Sequence, residues 1–130
     1  ETMWPGRLEL FGDQVYLDGA HNPHAMLRLI EFANSLAGKR VKILFGALKR
    51  KDYSGMLQTL QAGLPEAELI LTTFHYGEVV AQGDRQDLPY VADYKAYIKE
   101  FMDQSRPDEV LFVTGSLYFI AEVRAFLLEG

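Results

Sequence analysis

Asp18-Gly19-Ala20-His21-Asn22-Pro23-His24 gathers groups that could do chemistry into one short stretch of this 130-residue chain. A carboxylate, a glycine turn, an imidazole and an Asn-Pro helix start follow the apolar run Val15-Tyr16-Leu17. That order describes a strand delivering polar groups into a turn, and the turn opening a helix. In α/β proteins ligands bind at such turns. A helix N-terminus also presents unpaired backbone N–H groups that favour anions. The stretch therefore points to a nucleotide or a small anionic substrate. Asp18, at the strand end, could accept two hydrogen bonds from a ribose diol or cap its own turn. His21 could donate to a carboxylate or phosphate, although a single histidine is more often a structural hydrogen-bonder. His24, already inside the helix, reads as an exposed or capping residue.

Three further segments carry candidate groups. Arg7 follows Trp4-Pro5-Gly6, and a glycine beside an arginine lets the backbone approach a ligand while the guanidinium pairs with phosphate. Gly46-Ala47-Leu48-Lys49-Arg50-Lys51-Asp52 lacks the second glycine followed by Lys-Ser or Lys-Thr, so it is not a Walker A loop. Lys51 or Lys49 could still contact phosphate, with Asp52 capping the next helix. In Thr114-Gly115-Ser116 the serine hydroxyl could bind a carboxylate or cap a helix. Nothing resembles a Ser-His-Asp triad with an oxyanion hole, so no catalytic nucleophile is assigned and a hydrolase is not expected. A zinc site from His21, His24 and His75 matches no strong ligand spacing, so no metal ligand is assigned.

The elements that must position these groups alternate. Arg7–Phe11 and Gln14–Leu17 flank Gly12-Asp13 as a tight hairpin. Residues 23–37 read as a helix, with Met26, Leu29, Ile30, Ala33 and Leu36 on one face, Pro23 at the first position, Asn22 as N-cap and Gly38 as stop. Strands are expected at 41–45, 68–72 and 109–113, and helices at 52–63, 89–103 and from 116 onward. The 89–103 helix would place Val91, Tyr94, Ile98 and Phe101 together. Strands separated by helices of this length predict βαβ units, a mostly parallel sheet and right-handed crossovers. Residues 73–88 show no period. A loop that long is functional or mobile, and it follows a strand. In a parallel sheet all these turns converge on one edge.

Composition bounds the rest. The length suits one domain, 1–130. There are no cysteines, which excludes disulfides and thiolate metal sites and suits a cytoplasmic setting. A net charge of −5 argues against a nucleic-acid surface. No stretch reaches the roughly 20 apolar residues of a membrane span, and the opening Glu1-Thr2-Met3-Trp4-Pro5 has no secretory pattern. The abrupt start beside the first motif leads us to expect a piece of a longer protein.

Four motifs occur in one order: Trp4-Pro5-Gly6-Arg7-Leu8-Glu9, Asp18-Gly19-Ala20-His21-Asn22-Pro23-His24-Ala25, Lys51-Asp52 and Val113-Thr114-Gly115-Ser116-Leu117-Tyr118. Across nearly the whole chain this resembles the C-terminal domain of folylpolyglutamate synthase/dihydrofolate synthase, within the Mur ligase superfamily. The resemblance implies a Rossmann-like α/β domain with an N-terminal β-hairpin. It also implies an ATP-dependent ligase that joins L-glutamate to the γ-carboxylate of a folate through an acyl phosphate. Carried over by motif, Arg7, Asp18 and Asn22 would face ATP, with Arg7 at phosphate and Asp18 at the ribose. His21 and Ser116 would hold glutamate, and Lys51 would approach phosphate. The P-loop, the Mg2+ ligands and most of the folate site would lie in an N-terminal domain of the same polypeptide. This chain alone would then be inactive, and the whole would be expected as a monomer. Two alternatives stay open: a Mur-type or monofunctional dihydrofolate synthase ligase, and a free-standing ligand-binding module. Residues 73–88, Arg85 included, match no motif.

Overall fold

The computed structural model describes residues 8–129, in which six strands form one sheet and four α-helices cover it. The strands are β1 (Glu9–Phe11), β2 (Val15–Asp18), β3 (Arg40–Phe45), β4 (Glu68–Thr72), β5 (Tyr90–Val91) and β6 (Glu109–Thr114). The helices are α1 (Pro23–Asn34), α2 (Tyr53–Gly63), α3 (Tyr94–Gln104) and α4 (Leu117–Glu129). The sheet order is β1-β2-β6-β3-β4-β5. β1 pairs antiparallel with β2 and every other pairing is parallel. Hairpin and parallel sheet thus match the expected Rossmann-like α/β class.

Strand alternation divides the core in two. Ile43 and Phe45 of β3, Leu69 and Leu71 of β4, and Val110 and Phe112 of β6 pack against Met26, Leu29 and Ile30 of α1 and Met56, Leu57 and Leu60 of α2. The intervening residues Leu44, Ile70, Leu111 and Val113, with Val15 and Leu17 of β2, pack against Ile98 and Phe101 of α3 and Phe119, Ile120 and Val123 of α4. Successive strand side chains point to opposite faces, so these near-continuous apolar runs fill both layers. The chain steps outward through β2, β3, β4 and β5 and then returns to insert β6 between β2 and β3. Crossovers of one hand then place α1 and α2 on one face and α3 on the other, as the two core layers require.

Local chemistry sets the helix boundaries. α1 begins as expected: Pro23 is at its start, and Asn22 Oδ1 accepts from the Ala25 N–H at 2.8 Å. It ends at Asn34, three residues before the expected 37. There the Ser35 hydroxyl donates to the Phe32 carbonyl at 2.6 Å, which competes with the helical ladder. α3 begins at Tyr94 rather than 89, because Tyr90–Val91 is strand β5, paired with Leu71–Thr72. Val91 therefore belongs to the sheet and not to the helical face predicted for it. The 73–88 segment is tied down at several points. Leu48 and Val79 form an antiparallel bridge, the Lys49 N–H donates to Glu78 O at 2.9 Å, and the Val80 N–H donates to Ala47 O at 2.8 Å. Phe74 and Val80 are buried.

Candidate functional site

All four helices start at one edge of the sheet, where β2, β3, β4, β5 and β6 end. Each start has a side-chain cap. Besides Asn22, Asp52 accepts from the Gly55 N–H at 2.9 Å, Asp93 from the Ala96 N–H at 3.1 Å, and Ser116 Oγ from the Tyr118 N–H at 3.1 Å. Four helix N-termini converge here, each contributing partial positive charge from its backbone N–H groups. The convergence expected of the strand-to-helix turns is therefore present.

Register places the individual groups. Asp18 stands opposite Thr114, and Thr114 opposite Phe45, so the ends of β2, β6 and β3 lie in one row. Asp18, Thr114 and Ser116 are all buried. The Cα atoms of Asp18 and Ser116 lie within about 12 Å of each other, since strands sit about 4.8 Å apart and two residues span at most about 7 Å. Thr114 Oγ1 is fully buried with no hydrogen-bond partner among the described residues.

Gly115 and Gly46 let the row close up. The Gly46 N–H donates to Thr114 O at 3.0 Å, and a Cβ on Gly115 would stand 2.3 Å from Gly46 O. Gly115 also has φ +122°, a backbone region that side chains disfavour.

The remaining candidates divide by role. His21 is half-buried, and its Nδ1 meets the Gly19 carbonyl at 3.1 Å. With Nδ1–H donating there, Nε2 is left for a ligand: an acceptor when the ring is neutral, a donor when protonated. Asn22 is exposed. Its cap uses Oδ1 and leaves the amide N–H groups to donate. Lys51 is half-buried, its N–H donating to Leu48 O at 3.1 Å. Lys49 Nζ is 3.7 Å from Asp84 Oδ2, so that loop cation is already paired. His24 is exposed on α1. Arg7 lies outside the described residues. Arg85 pairs with Asp87 at 2.8 Å.

Sequence reasoning missed one cluster at this edge. Glu122 of α4 accepts from the His75 backbone N–H at 3.1 Å, from His75 Nδ1 at 2.8 Å and from the Tyr94 hydroxyl at 2.7 Å. The available signal was an acidic residue three positions after Phe119, between two core positions of α4. Burial pushes the Glu122 carboxyl up, but the hydrogen bonds from His75 and Tyr94 outweigh it and hold the group below its ordinary value of 4.5. A depressed folded-state value stabilises the fold fully above the ordinary value, and that stability is lost as pH falls through the folded value. We therefore expect Glu122→Gln to be less stable than the parent at pH 7, with the gap narrowing towards about pH 3. Urea midpoints at both pH values measure this, and a gap independent of pH would refute it.

Among the described residues, no three His, Cys, Asp or Glu side chains cluster so as to hold a metal ion, and no helix is long and apolar enough to cross a membrane. A cavity of about 510 Å³ opens at the opposite edge between the C-terminal ends of α1 and α2. At the edge just described, a cavity of about 390 Å³ lies among Thr73, Phe74, His75, Asp93, Tyr94 and Lys95.

A family model described as "Mur ligase, glutamate ligase domain" matches residues 6–117. The dihydrofolate synthase/folylpolyglutamate synthase of Bacillus subtilis (strain 168) is 33% identical over 95% of this chain and 30% of that protein. A crystal structure of bifunctional folylpolyglutamate synthase/dihydrofolate synthase from Yersinia pestis c092, complexed with AMPPNP and a Mn ion, superposes with a TM-score of 0.82. It is 25% identical over 97% of this chain and 32% of that one. Another structure of such an enzyme, with Mn, AMPPNP and L-glutamate bound, has a TM-score of 0.80 at 25% identity, with the same coverage of 97% and 32%. The chain spans about a third of the length of these relatives and matches their C-terminal part.

Proposed function

This chain belongs to the family of the Mur ligase glutamate ligase domain, and from that premise we propose that it is one wall of the active site of an ATP-dependent amide-bond ligase. In this reading the whole enzyme adds L-glutamate to the γ-carboxylate of folates. Residues 1–130 form its C-terminal domain, and an N-terminal P-loop domain of the same polypeptide supplies the other wall. One observation carries the reading: Asp18 and Thr114 end neighbouring strands side by side, with Ser116 two residues further on, at the edge where the helices start. It is supported by the relative that holds Mn, AMPPNP and L-glutamate.

Asp18 is assigned to the nucleotide, through the ribose hydroxyls, with Arg7 at phosphate and Asn22 donating from its amide. His21 and Ser116 are assigned to the incoming glutamate. The Ser116 O–H can donate to a carboxylate while its oxygen still caps α4, and His21 Nε2 suits either end of an amino acid. Lys51 is assigned to phosphate. Acyl-phosphate chemistry needs charge neutralisation, orientation and exclusion of water more than a protein nucleophile, and this edge offers the first two. In this reading Mg2+ is held by the N-terminal domain. A cytoplasmic monomer is part of the same proposal. The double name of the Bacillus subtilis relative favours a second acceptor, dihydropteroate, for the same site.

The isolated 130-residue chain is expected to be inactive. The full-length protein should consume ATP only when glutamate and a folate or dihydropteroate acceptor are both present. Product chromatography with each acceptor tests this. Turnover by the chain alone, or none by the full-length protein with either acceptor, would overturn it.

A further inference from the structure

Three consecutive residues after β4 lie along the first two turns of α4. The Phe74 ring packs on Phe119 with centroids 4.9 Å apart, and Tyr76 stacks on Tyr118 at 4.0 Å and 16°. Between them, His75 makes the two hydrogen bonds to Glu122 already described, and the Tyr94 hydroxyl at the start of α3 makes a third. One carboxylate thus ties together a loop and two helices. The His75 side chain is 88% exposed and that of Glu122 only 22%. Packing around the imidazole therefore contributes little, and the strap is held by the carboxylate and the flanking rings.

The strap reaches the site through Tyr118. Its N–H donates to Ser116 Oγ, while its ring and that of Tyr76 remain half-exposed at the ligand edge, 46% each. On the far side the loop continues through exposed Gly77 and Glu78 to the Leu48–Val79 bridge. Tyr76 is therefore pinned from both ends, by the bridge and by Glu122.

We propose that Glu122 is a positioning residue for the amino-acid end of the site: by pinning His75 it holds Tyr76 on Tyr118 and fixes the wall beside Ser116. This rests on the assignment of Ser116 to the incoming glutamate. Without the carboxylate, three donors lose their acceptor and the strap loosens. The cost of ordering it is then met on binding, which weakens affinity for the amino acid and not the later chemistry.

In the full-length enzyme, Glu122→Ala should raise KM for glutamate about tenfold, equivalent to about 1.4 kcal/mol, with kcat and KM for ATP within about twofold of the parent. Glu122→Gln keeps one carbonyl acceptor and should recover much of the loss. Tyr76→Ala should mimic Glu122→Ala, and combining the two should add little, because they act through one contact. An unchanged glutamate KM, an additive double variant, or ATP and glutamate KM rising together with lost thermal stability would each overturn the proposal. If Glu122→Ala fails to fold, Tyr94→Phe removes one hydrogen bond and should still raise the glutamate KM about twofold; no rise there overturns it as well. If the parent shows no glutamate-dependent turnover, the ligase reading falls by itself. The ring resonances of Tyr76 and Tyr118 then decide the positioning role: loss of their stacking shifts in Glu122→Ala supports it, and unchanged shifts refute it.

Discussion

Gly115→Ala should cost about 3 kcal/mol or more of folding stability, combining backbone strain with overpacking. The added Cβ would stand 2.3 Å from the Gly46 carbonyl oxygen and 2.9 Å from its carbon. These are backbone atoms of the residue just after β3, whose N–H donates to Thr114 O, so no rotamer change relieves the clash. The φ of +122° adds a conformational penalty at the same residue. Relief requires the ends of β3 and β6 to part, which also moves Ser116. Gly46→Ala is the informative companion. Its Cβ would meet the Phe119 ring at 2.9 to 3.1 Å, a side chain instead of backbone, so the loss should be smaller. Thermal unfolding of the two variants checks both points. A fall in Tm on the order of 10 °C is expected for Gly115→Ala, and a loss below about 1 kcal/mol would contradict the tight apposition of the two glycines.

Asp18→Asn should weaken nucleotide binding by the full-length enzyme about 10- to 100-fold, the worth of about 1.5–3 kcal/mol for hydrogen bonds to a charged acceptor. The side chain keeps its shape, but one oxygen becomes a donor and the charge is lost. A ribose diol offers two O–H donors, and a carboxylate at the end of β2 can accept both. KM for ATP should rise and KM for glutamate should not, because the assigned glutamate groups are Ser116, just before α4, and His21, three residues beyond Asp18. Nucleotide titration of parent and variant, with thermal unfolding alongside, separates a binding defect from a folding one. Unchanged nucleotide affinity in a stably folded variant would remove Asp18 from the nucleotide site.

Legibility in the chain followed the range of the interactions involved. Asn22-Pro23 and the spacing of Met26, Leu29, Ile30 and Ala33 announce α1, because capping and helical periodicity act within a few residues. The end of α1 was missed because one serine hydroxyl turned back on its own helix. β5 was missed because two residues show no alternation, and Val91 and Tyr94 share a spacing that also suits a helix. Its strand character comes from Leu71–Thr72, about twenty positions earlier. The 73–88 segment reads as an aperiodic loop for the same reason: its order depends on Leu48, Ala47 and Glu122, none of them near it in sequence.

The sequence by itself determined which groups begin α1, α2 and α4, and through Pro5-Gly6-Arg7, Asp18–His24 and Thr114–Ser116 it identified the family. These are properties of residue type and short spacing. Only the tertiary structure decided that β6 inserts between β2 and β3, setting Asp18 beside Thr114. It also decided that Gly115 fits against Gly46, and that Glu122 collects donors from His75 and Tyr94. Strand order and the packing of a loop on a distant helix are set by long-range burial and hydrogen bonding, which leave no periodic trace in the chain.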